Sequence, residues 1–266
     1  MSDKPIVGIT MGDASGIGPE VIVKCLMDGD VYDVCNPIVI GAADVLGDLA
    51  SRLGMNVKVN AIKEIEEADF SFGTVDVLDL GNLKPSEFIP GKASTPAGRA
   101  SVEYVEKAVV LALSGRIDAM ATAPINKEAV NKAGYSYPGH TEMLSHLTNC
   151  EEYAMMLASG PLRVVHLSTH LSLVEACGRI KRQNIMTMIF ITHRSMRDLG
   201  FSSPRIAVAG MNPHAGEGGL FGKEEMLEIS PAIMDARTRG INASGPYPPD
   251  SIFLRACKGE FDVVLA

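Results

Sequence analysis

The chain has 266 residues, 46% of them hydrophobic, and 24 Lys and Arg against 32 Asp and Glu give a formal charge of −8. That length and apolar content can bury a substantial core in one large domain or two ordinary ones. The acidic balance, with no cluster of Lys and Arg, excludes a nucleic-acid footprint and leaves small molecules or further copies of the chain as partners.

No apolar run reaches the ~18 residues of a membrane span. The start, Met1 to Pro5, leads into strand-like sequence without a signal-peptide profile, so a cytoplasmic protein is expected. Cys25, Cys35, Cys150, Cys177 and Cys257 are scattered and never form a CxxC pair, which predicts reduced thiols and neither a disulfide framework nor a cysteine zinc site.

In chain order, a β-branched strand is predicted over 5–11 and a helix from Pro19, then a strand over 37–41 and a helix over 44–53. A long amphipathic helix follows over 95–114, with Pro96 early and Val102, Val105, Val109 and Leu113 on one stripe. A strand over 119–123 precedes a helix over 126–132. Further on, apolar runs over 164–169 and 205–210 read as strands, with His166 inside the first of them. Helices are predicted over 183–199, ended by Gly200, and 223–238, ended by Gly240.

This alternation predicts an α/β fold with a mostly parallel sheet covered by helices. The Gly- and Pro-rich segments 84–96 and 244–250 are candidate crossings between two lobes of one catalytic unit. Residues 261–266 read as the start of a buried strand, and natural chains seldom stop inside one. A carboxy-terminal part is therefore expected beyond Ala266.

Several loops carry chemistry. Residues 12–20, GDASGIGPE, follow the first strand and open a helix, so backbone N–H groups there could meet an anion. The glycine spacing is that of neither a dinucleotide fingerprint nor a P-loop, and a tight strand-to-helix turn is an equal reading. Asp13 could face a cleft or cap the helix. Lys127, in TAPINK, could bind a phosphate or carboxylate or donate a proton, or could be a solvated lysine in a first helical turn.

His140 and Thr141, in YPGHTE, offer two short hydrogen-bonding groups at a helix start, suited to an oxyanion or hydroxyl of a small substrate. The bland alternative is that Thr141 is an N-cap and His140 is exposed. His170, in STHL, and His214, in NPHAGEGG, both follow predicted strands, where neutral imidazoles could share a metal ion. Two ligands do not complete a metal site. His146, on a helix face, His166 in a strand and His193 in mid-helix are assigned surface or core roles.

In order and spacing, GDxxGIGPE, TAPINKEA, YPGHTE, STHL, NPHAGE and GPxPPDSxF resemble the 4-hydroxythreonine-4-phosphate dehydrogenase family, across essentially the whole chain. The wording of 219–222, GLFG, and 245–250, GPYPPD, is most similar to the branch acting on D-threonate 4-phosphate or D-erythronate 4-phosphate. The resemblance implies a two-lobed α/β/α fold of the isocitrate/isopropylmalate dehydrogenase type, a homodimer with the active site in a cleft, and oxidation of a secondary alcohol by NAD followed by loss of CO2.

It also implies substrate binding by His140 and Thr141. His170 and His214 would be two of three histidines on a divalent metal, the third coming from the partner subunit. Histidine ligands suit Zn2+ or Co2+ better than Mg2+. Lys127 and Asp250 are candidates for proton transfer and ligand orientation.

The family's third metal histidine lies in a Met-Tyr-His-Asp-Gln-Gly motif that directly follows a strand like 262–266, and the family's later segment supplies more substrate contacts and much of the NAD site. Neither is within the 266 residues. Three alternatives stand beside the first reading: a 4-hydroxy-L-threonine 4-phosphate dehydrogenase of pyridoxal phosphate biosynthesis, a non-catalytic truncated protein that binds a phosphometabolite, and a metal-dependent hydrolase.

Overall fold

Consecutive strand-and-helix pairs build two separate sheets in the computed structural model, which describes residues 4–266. The first three residues, read above as leading into the first strand, lie outside the described residues. Contacts divide the chain into two units, Met1–Cys150 and Glu151–Ala266. Neither segment read as a crossing coincides with that division.

In the first unit, β1 (Ile6–Thr10) is followed by α1 (Gly18–Leu26), α2 (Gly29–Val34), β2 (Asn36–Gly41), α3 (Ala43–Arg52), β3 (Lys58–Ile62), β4 (Thr74–Asp79), α4 (Thr95–Leu113), β5 (Ala119–Thr122), α5 (Lys127–Lys132) and α6 (His140–Thr148). The sheet runs β3-β4-β2-β1-β5 with every pairing parallel. Helices therefore cover a sheet whose central strands are apolar on both faces: Ile38, Val39 and Ile40 are all 0% exposed.

The long helix α4 begins where Ser94 Oγ accepts from Ala97 N at 3.4 Å and Pro96 fills an early position that needs no N–H partner. Its buried stripe includes Val102, Val105 and Val109, as predicted, but Leu113, in the last turn, is 70% exposed. Val102, Val105 and Val109 pack with Val130 of α5 and Met143 of α6, which fixes the start of α6 against the body of the unit. Gly98 makes the α4–α5 approach possible, because a Cβ there would run into the backbone carbonyl of Ala129. Gly98→Ala is expected to cost about 1–3 kcal/mol through a forced helix shift, seen as a lower midpoint in urea unfolding; an unchanged midpoint would show that the two helices separate freely.

The second unit comprises β6 (Met156–Ser159), β7 (Leu162–Val165), α7 (Leu173–Gly178), α8 (Arg182–Asp198), β8 (Ile206–Ala209), α9 (Ser230–Thr238), β9 (Ala243–Tyr247), α10 (Pro249–Cys257) and β10 (Val263–Leu265). Its order is β6-β7-β10-β8-β9, with only β6 antiparallel to its neighbour. The strand predicted over 261–266 is β10, paired on both sides, with Val263 and Val264 at 0% exposure.

The helix predicted over 223–238 is present over 224–238, with a π-turn at Glu225–Ile229 running directly into α9. Segment 244–250 includes most of β9, hydrogen-bonded to β8. One expectation needs correction. β7 ends at Val165, so His166 lies just past the strand, with its N–H on Met155 O at 3.1 Å. Among the described residues, no helix is long and apolar enough to cross a membrane.

Candidate functional site

Parallel strands place their carboxyl ends on one edge, and chemistry-bearing loops gather there in each unit. In the first unit, β1 and β5 are neighbours, so the loops that follow them meet: Asp13 N donates to Pro124 O at 2.9 Å. Gly12 has φ +69°, and a Cβ on it would stand 2.5 Å from Pro124 O. The glycine is used to bring two backbones together, which makes the segment a packed strand-to-helix turn. Asp13, 3% exposed, accepts from Ser15 N at 2.9 Å within that turn and is not the cap of α1, whose N-cap Ile17 has no side-chain bond.

Asn126 caps α5 through Oδ1 to Ala129 N at 3.1 Å, and Lys127 is an exposed residue in the first turn of that helix. His140 is the first residue of α6 and Thr141 the second; the N-cap is Gly139, without a side-chain bond, so Thr141 is not a cap. Nor is His140 exposed: its Nε2 is buried with no hydrogen-bond partner. Burial pushes the imidazole below its ordinary pKa of 6.5, so the ring is neutral at neutral pH. A neutral ring with an unpaired nitrogen beside a hydroxyl in a helix's first turn can hold a ligand hydroxyl or oxyanion.

The sign of this shift gives a titration test. The folded pKa lies below the unfolded one, so His140's contribution to stability is whole above about 6.5 and falls as the pH drops below it. In an imidazole NMR titration, the His140 resonance is expected to have its midpoint below 6.5; a midpoint at or above that value would mean that the ring is solvated.

In the second unit, β7 and β8 flank β10, all three parallel, so the loops holding His170 and His214 leave the same edge one strand apart. Both imidazoles are exposed. Both residues also have left-handed backbone, φ +58° at His170 and φ +55° at His214, a conformation that costs a side-chain-bearing residue on the order of 1–3 kcal/mol. His214 opens a run of five such residues through Gly218. After His170 the chain is fixed by a capping box, in which Ser172 Oγ accepts from Glu175 N and Ser172 N donates to Glu175 Oε2 at 3.0 Å.

What holds the His214 loop is a carboxylate that the sequence reading missed. Glu225, 3% exposed, accepts from Met211 N at 2.8 Å and Asn212 N at 2.7 Å through Oε1. Its Oε2 accepts from Asn212 Nδ2 at 2.9 Å, and the same amide donates to Glu224 Oε2 at 2.8 Å. Burial pushes the Glu225 carboxyl up, but the N–H donors of Asn212 and Met211 outweigh it and hold the group below its ordinary pKa. A Glu-Glu pair thirteen residues beyond a loop has no local signature, so only the loop's closure reveals it.

The edge carries two exposed imidazoles on loops with left-handed backbone. Among the described residues, no group of three His, Cys, Asp or Glu is placed to hold a metal ion. Asp250, in the first turn of α10, is exposed.

A family model described as the pyridoxal phosphate biosynthetic protein PdxA matches residues 33–266. The D-threonate 4-phosphate dehydrogenase of Cupriavidus necator is 48% identical over 269 residues, covering 100% of this chain and 80% of the relative. Two crystal structures of 4-hydroxythreonine-4-phosphate dehydrogenases superpose over 100% of this chain and 80% of theirs: one from Burkholderia phymatum with TM-score 0.93 and 44% identity, and one from Klebsiella pneumoniae with TM-score 0.95 and 40% identity.

Proposed function

The chain belongs to the PdxA family, and from that premise we propose that it is an NAD-dependent dehydrogenase of a 4-phosphorylated hydroxy acid. The substrate is D-threonate 4-phosphate or D-erythronate 4-phosphate, and the β-keto acid formed loses CO2. The observation that carries this reading is the 48% identity, over the whole chain, to a relative named for that activity. The fold is read as one of the isocitrate/isopropylmalate dehydrogenase type, and the protein as a cytoplasmic homodimer.

His170 and His214 would hold one divalent cation, Zn2+ or else Co2+ or Mg2+, with a third histidine from a partner subunit. The bound ion would supply Lewis-acid chemistry, acidifying the substrate alcohol and stabilising the enolate after decarboxylation. A partner covering the His170 segment accords with Leu173 at 86% and Val174 at 82% exposure on α7 beside it.

His140 Nε2 and the Thr141 hydroxyl orient the substrate's oxygens, and the amino end of α6 favours the substrate's negative charge. Lys127 and Asp250, both exposed in first helical turns, are the candidates for moving a proton and orienting a ligand. NAD would supply the hydride acceptor. The 12–18 turn offers NAD no cradle, because Gly12 is packed on Pro124 O, and no residue of this chain is assigned to the dinucleotide.

A second reading, 4-hydroxy-L-threonine 4-phosphate as substrate, has in its favour the two similar crystal structures, both of 4-hydroxythreonine-4-phosphate dehydrogenases. The two substrates differ in a hydroxyl against an amino group next to the carboxylate. NADH formation is to be followed with D-threonate, D-erythronate and 4-hydroxy-L-threonine 4-phosphates in turn, with released CO2 measured alongside. The expected result is the highest kcat/KM with one of the first two; preference for the amino substrate supports the second reading, and no NADH from any of them leaves a binding protein.

A further inference from the structure

The second unit carries a basic cavity at the end of its sheet opposite to His170 and His214. Helix α8 ends at Asp198 before the chain enters β8 at Ile206, and α9 ends at Thr238 before β9 begins at Ala243. The residues at these two helix ends therefore lie by the amino ends of β8 and β9, whereas the two histidine loops leave carboxyl ends of parallel strands. Between the helix ends is a cavity of about 430 Å3, lined by His193, Arg194, Arg197, Asp198 and Arg239, with Phe190 and Ile241 as its apolar wall.

Three arginines face one aspartate there, in a chain whose formal charge is −8. None of the three has an ion-pair partner among the described residues, although arginines nearby are paired: Arg182 is bound by both oxygens of Asp235 at 2.6 and 2.7 Å, and Arg205 is bidentate with Asp262. Asp235, which feels the charge of Arg239, has both oxygens bonded to Arg182. At the cavity, His193 has a buried Nδ1 with no hydrogen-bond partner.

The three exposed guanidinium groups line one concavity, and each forgoes the paired, charge-assisted bonds that its fork is shaped to make. An oxyanion with several acceptor oxygens supplies them. The cavity is of small-metabolite size.

We propose that this cavity is a binding site for a small phosphate-bearing anion, held by Arg194, Arg197 and Arg239 with His193 at its wall, and separate from the edge that carries His170 and His214. Burial and then the Arg197 charge hold the His193 imidazole below its ordinary pKa, and a bound anion would offset the second of these.

The test uses the full chain and inorganic phosphate, read by the imidazole 1H–15N resonances of His193. The expected result is a saturable shift that chloride at equal ionic strength does not reproduce. In Arg197→Ala and Arg239→Ala, phosphate should bind about tenfold more weakly or worse, the loss of a charge-assisted contact. The His193 shift should persist in His140→Ala, which separates this site from the proposed substrate site. Circular dichroism checks folding, and Arg194→Gln, at an exposed helical position, replaces either alanine variant that unfolds. No saturable shift, a shift matched by chloride, or full-strength binding in the arginine variants would overturn the assignment.

Discussion

Replacing His214 by glycine is expected to abolish most dehydrogenase turnover while making the protein slightly more stable. The residue has φ +55° at the head of a left-handed run, where a Cβ is a liability, so its removal should gain about 1 kcal/mol. A side chain kept at such a position despite its cost is the pattern of a functional residue.

On the proposed reading His214 would be one of two imidazoles that hold a divalent cation, whose Lewis-acid contribution of several kcal/mol would be lost with it, so kcat/KM should fall about 1000-fold. His170→Gly should behave alike, φ there being +58°. Chelation of the wild-type enzyme should remove the same activity, and Zn2+ or Co2+ should restore it to the wild type but not to the variants. Glycine variants that keep wild-type turnover would end the metal assignment; a fall in stability would instead make His214 a structural residue.

The second large effect is at Glu225. With alanine there, Met211 N and Asn212 N lose their acceptor in a half-buried place and the Asn212 amide loses one of two. Unfolding should become easier by about 2–4 kcal/mol, the cost of leaving two backbone N–H donors without an acceptor. Glu225→Gln is milder, about 1–3 kcal/mol, because its carbonyl can still accept while its NH2 faces the Asn212 NH2, donor against donor.

The pH dependence has a definite sign. The folded pKa is below the ordinary 4.5, so the stabilisation is whole above that value and is lost as pH falls through the folded pKa. Thermal unfolding from pH 7 to pH 3 should therefore show Glu225→Gln losing less stability on acidification than the wild type. Equal slopes would show that Glu225 is not the acid-sensitive group in this loop.

Strands and helices with strong local signals were legible from the residues alone. Ser94 and Pro96 open α4, Gly200 and Gly240 follow helix ends with φ +94° and +79°, and the apolar run 37–41 is the buried strand β2. Less could be read where the signal was weak or split. β3 and β4, with exposed or polar positions among their apolar ones, and β9, carrying Gly245 and Pro246, have no clean period-two pattern. The arginines of the α8–α9 cavity are spread over 194–239, so no run of basic residues marks them in the sequence.

By itself the sequence determined the α/β class, the family and the loops where chemistry resides, because local hydrogen bonding and side-chain periodicity set elements and the motif order is itself linear information. Only the tertiary structure decided that β10 enters between β7 and β8, so that His170 and His214 share an edge, and that Glu225 clamps the His214 loop. The physical reason is that these arrangements rest on strand order and on buried acceptors meeting distant N–H groups, and buried backbone N–H and C=O groups find those partners only across the fold.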